Sequence, residues 1–228
     1  GSVWFLNRFY DNLHFSIHGQ SSRNFPKKSY NVDFNRGYRF YYDEDVQPVK
    51  DIDLLTNWAD KSKCRNTVAY DFYNAAGIRA HFCFPVRVQQ NGAFFSVADM
   101  VEDGDERYTE RVGLDPEGAL YKMYNSCDSA TTGVEKKTRQ EEDNSDLAAM
   151  IAALGSGGAS ARAWMYDHID IAAAINYLAT RPIVNDRDHG HKNYYLYCDN
   201  DGTGEWTILP WDVDLCLGHV WTAGQRYF

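Results

Sequence analysis

A short hairpin with polar residues at both of its ends constrains this 228-residue chain more than any other sequence feature. Residues 194–209 contain two apolar runs separated by a polar turn, the pattern of two paired strands. Pro210 marks the end of the second strand because proline cannot donate to a sheet ladder. Asp188 and Asn193 precede the hairpin, and Asp212 follows it. A tight hairpin brings its outer ends together, so we expect these three side chains to lie near one point.

The spacing of these residues suggests a specific chemistry. Asn193 follows Asp188 by five positions, the separation found in the catalytic loop of protein kinases. There the Asp orients the acceptor hydroxyl and the Asn holds Mg²⁺, while a later Asp, here Asp212, is a second metal ligand. Crowded carboxylates repel one another by roughly 1 kcal/mol or more per close pair, and a divalent metal is the usual compensation. The alternative is that these residues only stabilise turns and caps.

A second polar constellation lies near the N-terminus. Residues 19–23 form a Gly/Ser-rich loop whose backbone N–H groups and hydroxyls, Ser22 included, suit a phosphate. Arg23 offers a bidentate phosphate contact. Of the two lysines that follow, strand alternation lets only one face the loop, and we select Lys28 over Lys27. No GxGxxG or Walker motif accompanies them, and each cation considered alone is better explained as a solvated residue at a strand end.

Composition excludes several classes of function. The net charge is −9 and the pI about 5.2, so the chain lacks the basic field that would attract nucleic acid. No apolar run approaches the roughly 20 residues needed to span a bilayer, and we expect no membrane span. Five cysteines without a CxxC pair predict buried, reduced thiols, with one or two disulfides as the alternative.

The remaining pattern predicts an α+β fold. Alternating runs predict strands, and Asn91-Gly92 is a hairpin turn signal, whereas Pro85 indicates a sheet edge. Residues 103–143 are charged and polar, and we interpret them as loop plus a partly ordered insertion. The predicted strands are 13–17, 28–34, 82–89 and 94–101, and the predicted helices are 60–76, 145–154 and 161–180, with a flexible glycine break at 155–158.

Four segments of the chain resemble, in order, signature stretches of the CotH kinase family. They are Gly19–Tyr30, Asn57–Ser62 with Arg65-Asn66, Lys192–Tyr197 and Leu209–Asp214, and the resemblance runs from about Phe15 to Gly218. It implies an atypical, reduced protein-kinase-like fold with two lobes. It also implies transfer of the γ-phosphate of ATP, with Mg²⁺, to Ser/Thr hydroxyls of a protein substrate. The expected location is extracellular, or at a cell or spore surface.

The resemblance assigns a role to particular residues. It implies a single domain over residues 3–228, with an N-lobe of 3–101, a C-lobe of 102–228 and the nucleotide between them. Family members usually continue beyond Gly218, so this resemblance implies a truncated C-terminal end. The implied catalytic residue is Asp188 and the implied metal ligand is Asp212. To these we add Asn193 as a second metal ligand from its spacing, and Ser22, Arg23, Lys28 and Glu102 as the expected nucleotide-binding residues.

Two of these assignments have alternatives. The predicted helix 60–76 contains no Glu to form the ion pair that kinases make with the lysine, here Lys28, and either Asp71 or Glu102 would have to serve. The catalytic loop also offers Asp186 beside Asp188, so the base has two candidates.

Two other classes of function also fit the sequence. One is a CotH-like adhesin or binding module without catalysis, which suits the aromatic content of 15%. The other is a metal-dependent hydrolase that uses Asp188, His189, His191 and Asp212. The sequence does not indicate the acceptor protein or the oligomeric state.

Overall fold

The computed structural model describes residues 1–188 and 191–219, which contain 11 strands and five α-helices. The chain divides into two compact units. The N-terminal unit comprises residues 1–68 and 81–103, and the C-terminal unit comprises residues 69–80 and those from 104 onward. This mixture of helices and several sheets confirms the predicted α+β class.

The N-terminal unit contains a two-stranded hairpin and a five-stranded antiparallel sheet. The sheet order is β3-β4-β5-β7-β6, so Pro85 lies in an edge strand, as predicted. The strands of this unit are β1 (Val3–Phe5), β2 (Arg8–Tyr10), β3 (His14–His18), β4 (Ser29–Asp33), β5 (Asp51–Leu55), β6 (Cys83–Gln90) and β7 (Ala93–Glu102).

One face of this sheet forms an apolar core. Val32 pairs with Ile52 across β4 and β5, and both are buried with Met100 and Phe40. The opposite face carries polar side chains that are also buried, among them Asp99. Strand alternation therefore places Met100 and Asp99 on opposite faces of the sheet.

Helix α1 (Arg65–Ala75) begins five residues later than predicted. The Asp60 carboxylate still caps its start, because it accepts hydrogen bonds from the backbone N–H groups of Cys64 and Arg65. Gly77 ends the helix as expected, since its φ of 78° is a conformation that glycine adopts without strain.

The C-terminal unit contains a four-stranded antiparallel sheet and four helices among the residues described. The sheet order is β11-β10-β8-β9. The elements are α2 (Glu106–Arg111), β8 (Ala119–Met123), β9 (Val134–Lys136), α3 (Ser145–Gly155), α4 (Gly158–His168), α5 (Ile171–Ile183), β10 (Tyr194–Cys198) and β11 (Trp206–Pro210).

The interpretation of residues 103–143 as loop and insertion missed three elements of the fold: α2, β8 and β9. All five residues of β8 are buried, and the strand pairs with β10 on one side and β9 on the other. The charged residues on either side of β8 obscure its strand pattern in the sequence. Its main partner, β10, lies about 70 residues away along the chain. Tyr121 and Met123 contribute to a core that also contains Leu147 and Trp206.

The single long helix predicted over 161–180 is in fact two helices. Ile169 is extended and forms an isolated bridge to Trp206, and Asp170 then caps α5 by accepting from the Ala173 N–H at 2.9 Å. The glycine break is a tight junction in which Gly157, at a φ of 66°, precedes the first residue of α4.

The five cysteines, all within the described ranges, are free thiols, in agreement with the expectation of reduced cysteines. Cys83, Cys198 and Cys216 are buried. Burial raises the pKa of Cys198 to about 12 and that of Cys127 to about 11, so both stay protonated near neutral pH. Of the helices described, none has the length and apolar character needed to cross a membrane.

Candidate functional site

The hairpin β10–β11 brings the predicted site residues to one end of the C-terminal sheet. Tyr194 pairs with Pro210, so Asn193, just before β10, and Asp212, just after β11, lie at the same end. The Asn193 backbone N–H also donates to the Met123 carbonyl at 2.9 Å, which fixes this end against β8. Two sequence-distant polar groups are thus held by a rigid sheet.

Both of these residues adopt a left-handed backbone conformation. The φ angles are 62° at Asn193 and 56° at Asp212. Asn and Asp tolerate this region better than other non-glycine residues, and such conformations concentrate at functional sites. The Asp212 N–H donates to the Tyr70 hydroxyl at 3.2 Å, so α1 helps to hold the turn.

Asp188 lies against Asn193. The Asn193 amide nitrogen Nδ2 donates to Asp188 Oδ2 at 2.6 Å, and Lys192 Nζ lies 2.9 Å from the same oxygen. The Asp188 side chain keeps 15% of its surface exposed. Its carboxylate is therefore oriented by two donors and remains accessible to a ligand.

Asp186 has a different environment. It is buried, and its Oδ2 accepts from the Tyr73 hydroxyl at 3.1 Å while its Oδ1 accepts from the Asp188 N–H at 3.2 Å. Burial and the adjacent Asp186 charge raise the pKa of Tyr73 far above its usual value, so this hydroxyl stays a donor. Asp186 thus anchors the loop to α1, whereas the Asp188 side chain keeps part of its surface exposed.

The donor set at this end of the sheet fits Mg²⁺. This ion takes oxygen ligands and uses one or two carboxylates, with phosphate and water oxygens completing its shell. Because Nδ2 of Asn193 faces Asp188, its Oδ1 points away from Asp188 and remains available as a ligand. Asp212 lies at the same end of the hairpin and offers a carboxylate. Within residues 1–188 and 191–219, no three His, Cys, Asp or Glu side chains form a metal-binding group. That finding gives no support to the hydrolase alternative, whose His191 is exposed and whose His189 lies outside the described residues.

In the N-terminal unit, the predicted phosphate loop folds back on itself. A one-turn 3-10 helix covers Ser21–Asn24. Arg23 Nε donates to the Gly19 carbonyl at 2.5 Å, and Lys28 Nζ donates to the Arg23 carbonyl at 2.5 Å. Gly19 has a φ of 95°, and a Cβ there would lie 1.9 Å from Ser22 Oγ, so only glycine fits. The structure therefore brings Ser22, Arg23 and Lys28 together.

Two acids, Glu102 and Asp71, were considered as ion-pair partners of Lys28. Glu102 is buried, accepts from the Phe82 N–H at 3.0 Å and lies 3.8 Å from His81 Nδ1. Asp71, the other acid considered for Lys28, is exposed on α1. Lys27, by contrast, points its ammonium toward the Val97 carbonyl, at 3.4 Å.

Sequence reasoning assigned no role to a buried polar cluster on the polar face of the N-terminal sheet. Asp99 accepts from Asn57 and from Thr67, and Lys63 donates to the Asn57 carbonyl. Burial raises the pKa of Asp99, and burial followed by the Lys27 charge lowers the pKa of Lys63. A signal existed, because Asn57 belongs to a segment that resembles the family.

The chain is an α+β protein with a candidate site at one end of its C-terminal sheet. That site contains two carboxylates and one amide, from Asp188, Asp212 and Asn193. The sequence model of the CotH kinase protein family matches residues 15–227, and the chain belongs to that family. It is 28% identical over 217 residues to the inner spore coat protein H of Bacillus subtilis (strain 168), an alignment that covers 88% of this chain. The chain spans 57% of the length of that relative.

Proposed function

We propose that this chain is an atypical protein kinase that transfers the γ-phosphate of ATP to Ser or Thr hydroxyls of a protein, with Mg²⁺. The observation that carries the proposal is the Asp188–Asn193 hydrogen bond at the sheet end that also holds Asp212. The family's description as a kinase supports it. A place outside the cytoplasm, at a spore or cell surface, is proposed from the name of the Bacillus relative.

Each residue has a defined task in this proposal. Asp188 accepts a hydrogen bond from the attacking hydroxyl and takes its proton as the new O–P bond forms and the bond to the leaving ADP oxygen breaks. Lys192 and Asn193 hold the Asp188 carboxylate in place. Asn193 Oδ1 and the Asp212 carboxylate would hold Mg²⁺, which when bound neutralises charge on the phosphates.

The N-terminal loop supplies the proposed phosphate contacts. Arg23 and Lys28 are cations with exposed side-chain atoms, and the Ser22 hydroxyl lies in the same loop. Glu102 remains a candidate for the acid that supports the nucleotide site, although its contacts are to Phe82 and His81. Such a site acts by positioning and by charge stabilisation.

The test is incubation with Mg²⁺ and labelled ATP, alone and with a Ser/Thr-containing protein, followed by intact mass measurement. We expect phosphoryl addition that is lost in chelator and in Asp188→Asn. The matched control is Asp201→Asn, because Asp201 is an exposed turn residue paired with Arg139. The absence of any phosphoryl addition from the parent protein would contradict the proposal.

A binding module is the second candidate, on one specific observation. The hairpin β1–β2 presents Trp4 and Phe9 side by side, 67% and 61% exposed, with ring centroids 6.4 Å apart. Exposed paired aromatics suit a partner surface or a carbohydrate. If the parent protein transfers no phosphate, loss of partner binding in Trp4→Ala would favour this function.

A further inference from the structure

Lys122, the fourth of the five residues of β8, is a buried lysine with unusual surroundings. Only 7% of its surface is exposed. Its ammonium lies 4.3 Å from the ring centroid of Trp211, 5.6 Å from that of Tyr124 and 5.9 Å from that of Tyr195. Among the described residues, aromatic rings are the contacts of this ammonium, and none of those residues gives it a carboxylate or carbonyl partner.

The nearest acid in the sheet is engaged elsewhere. Glu135 pairs with Lys122 across β8 and β9. Its carboxylate nevertheless accepts from the Tyr124 hydroxyl and lies 3.3 Å from Lys137 Nζ. Cation–π contacts offset only part of the cost of burying a charge, and lysines are almost never fully buried without a partner. An external anion would complete this site.

Lys136, on the neighbouring strand β9, is a lysine of the same sheet whose ammonium has oxygen partners. Only 7% of its side-chain surface is exposed, and its ammonium lies over the Tyr121 ring. It also donates to the Asp143 carbonyl at 2.6 Å and lies 3.8 Å from Glu142. Lys136 pairs with Tyr121, which alternates with Lys122, so the two lysines occupy opposite faces of the sheet.

The rings around Lys122 belong to the segments that carry the candidate site. Trp211 immediately precedes Asp212, and Tyr195 follows Asn193 by two residues. Lys122 itself precedes Met123, whose carbonyl accepts from the Asn193 N–H. The lysine is therefore at the same end of the sheet as the proposed Mg²⁺ ligands, and phosphate is the anion that accompanies Mg²⁺ at such sites.

We propose that Lys122 is an anion-binding residue of the candidate site and that its ammonium contacts a phosphate oxygen, which in the proposed reaction belongs to the nucleotide. This inference deepens the proposed function and rests on it for the identity of the ligand. The same anion site would take inorganic tripolyphosphate, which shares the chemistry without the nucleoside.

Calorimetric titration of four proteins tests the proposal: the parent, Lys122→Met, Lys122→Arg and, as matched control, Lys136→Met. Each is titrated with Mg·ATP, with Mg·tripolyphosphate and with adenosine. Loss of one charge-assisted contact predicts about tenfold or more weaker binding of both phosphate ligands in Lys122→Met, with adenosine unaffected. Lys122→Arg should retain most of the affinity, and Lys136→Met should match the parent.

Thermal unfolding separates this role from a structural one. Lys122→Met keeps the stem and removes a charge for which the described residues supply no acceptor, so we expect an equal or higher Tm than the parent. Lys136→Met removes the ammonium that binds the Asp143 carbonyl and pairs with Glu142, so we expect a lower Tm than that of the parent. A lower Tm in Lys122→Met together with unchanged affinity would show a structural cation–π contact and overturn the proposal.

The titrations also distinguish failure of this inference from failure of the proposed function. Parent-like Mg·ATP binding by Lys122→Met would overturn the role of Lys122 and leave the kinase proposal standing. Binding of tripolyphosphate but not ATP by the parent, lost in Lys122→Met, would support the anion site and contradict the kinase proposal. A parent that binds neither phosphate ligand would overturn both.

Discussion

Asp188 and Asp186 should fail in different ways when each is replaced by Asn, although only one residue separates them. Asn193 Nδ2 and Lys192 Nζ both contact the same carboxylate oxygen of Asp188, Oδ2. The carbonyl oxygen of an Asn can replace that atom, so Asp188→Asn keeps the local geometry and removes only the charge. The pair with Lys192 is partly exposed, and we expect a stability loss of about 1 kcal/mol or less.

Asp186→Asn cannot be accommodated in this way. Oδ1 of Asp186 accepts from the Asp188 N–H and Oδ2 accepts from the Tyr73 hydroxyl. An Asn offers one acceptor, so one buried donor would face an NH₂ group whichever way the amide is turned. We expect a loss of about 1–3 kcal/mol, with coupling to Tyr73→Phe in a double-mutant cycle.

The chemistry should show the reverse order. Removal of a catalytic carboxylate lowers proton-transfer catalysis by about 10²–10⁴-fold, and Asp188→Asn should therefore lose phosphate transfer while still binding Mg·ATP. Asp186→Asn should retain transfer at temperatures where it is folded. The assay measures transfer, Mg·ATP affinity and denaturant unfolding on the same preparations. Full transfer by Asp188→Asn, with none by folded Asp186→Asn, would refute the assignment and make Asp186 the base.

Three further predictions concern other residues. Asp212→Asn should weaken both metal-dependent Mg·ATP binding and transfer, and titrations with and without chelator test this; binding that is equal in chelator would count against the metal site. Lys28→Ala should weaken ATP affinity more than Lys27→Ala, whose ammonium faces the Val97 carbonyl, and the opposite order would reverse the strand assignment. Burial raises the pKa of Asp60, but hydrogen bonds from Ser62 and Arg65 outweigh it and leave the pKa below 3.8. The Asp60 carboxylate therefore stabilises the fold above that pH, and its contribution disappears as the pH falls through the lowered pKa. Asp60→Asn should cost about 3 kcal/mol at pH 7, a loss that shrinks in denaturant melts toward pH 3, whereas a pH-independent loss would contradict this account.

The hairpin β10–β11 was predictable because its signals are local. A polar turn, two short apolar runs and Pro210 fix its limits to within one residue of those observed. The placement of Asn193 and Asp212 at the same end of the hairpin follows from antiparallel pairing alone. Helix α1 was predictable for the same reason, although Asp60 acts as a cap several residues before its first turn.

Strand β8 was not predictable from its own residues. Five buried positions in a charged stretch carry no period that distinguishes a central strand from a loop. The strand forms because β10, about 70 residues away, offers it a ladder partner, and Lys122 acquires its aromatic surroundings only through that pairing.

The sequence by itself determined the α+β class, the family and the set of chemically capable residues, because these depend on residue type and on short-range periodicity. Tertiary structure alone decided the difference between Asp186, which Tyr73 anchors, and Asp188, which Asn193 and Lys192 orient. Tertiary structure also decided that the Lys136 ammonium binds the Asp143 carbonyl, whereas the Lys122 ammonium faces aromatic rings. The physical reason is that desolvation and hydrogen-bond partners depend on contacts between distant segments, whereas periodicity and spacing describe only neighbours along the chain.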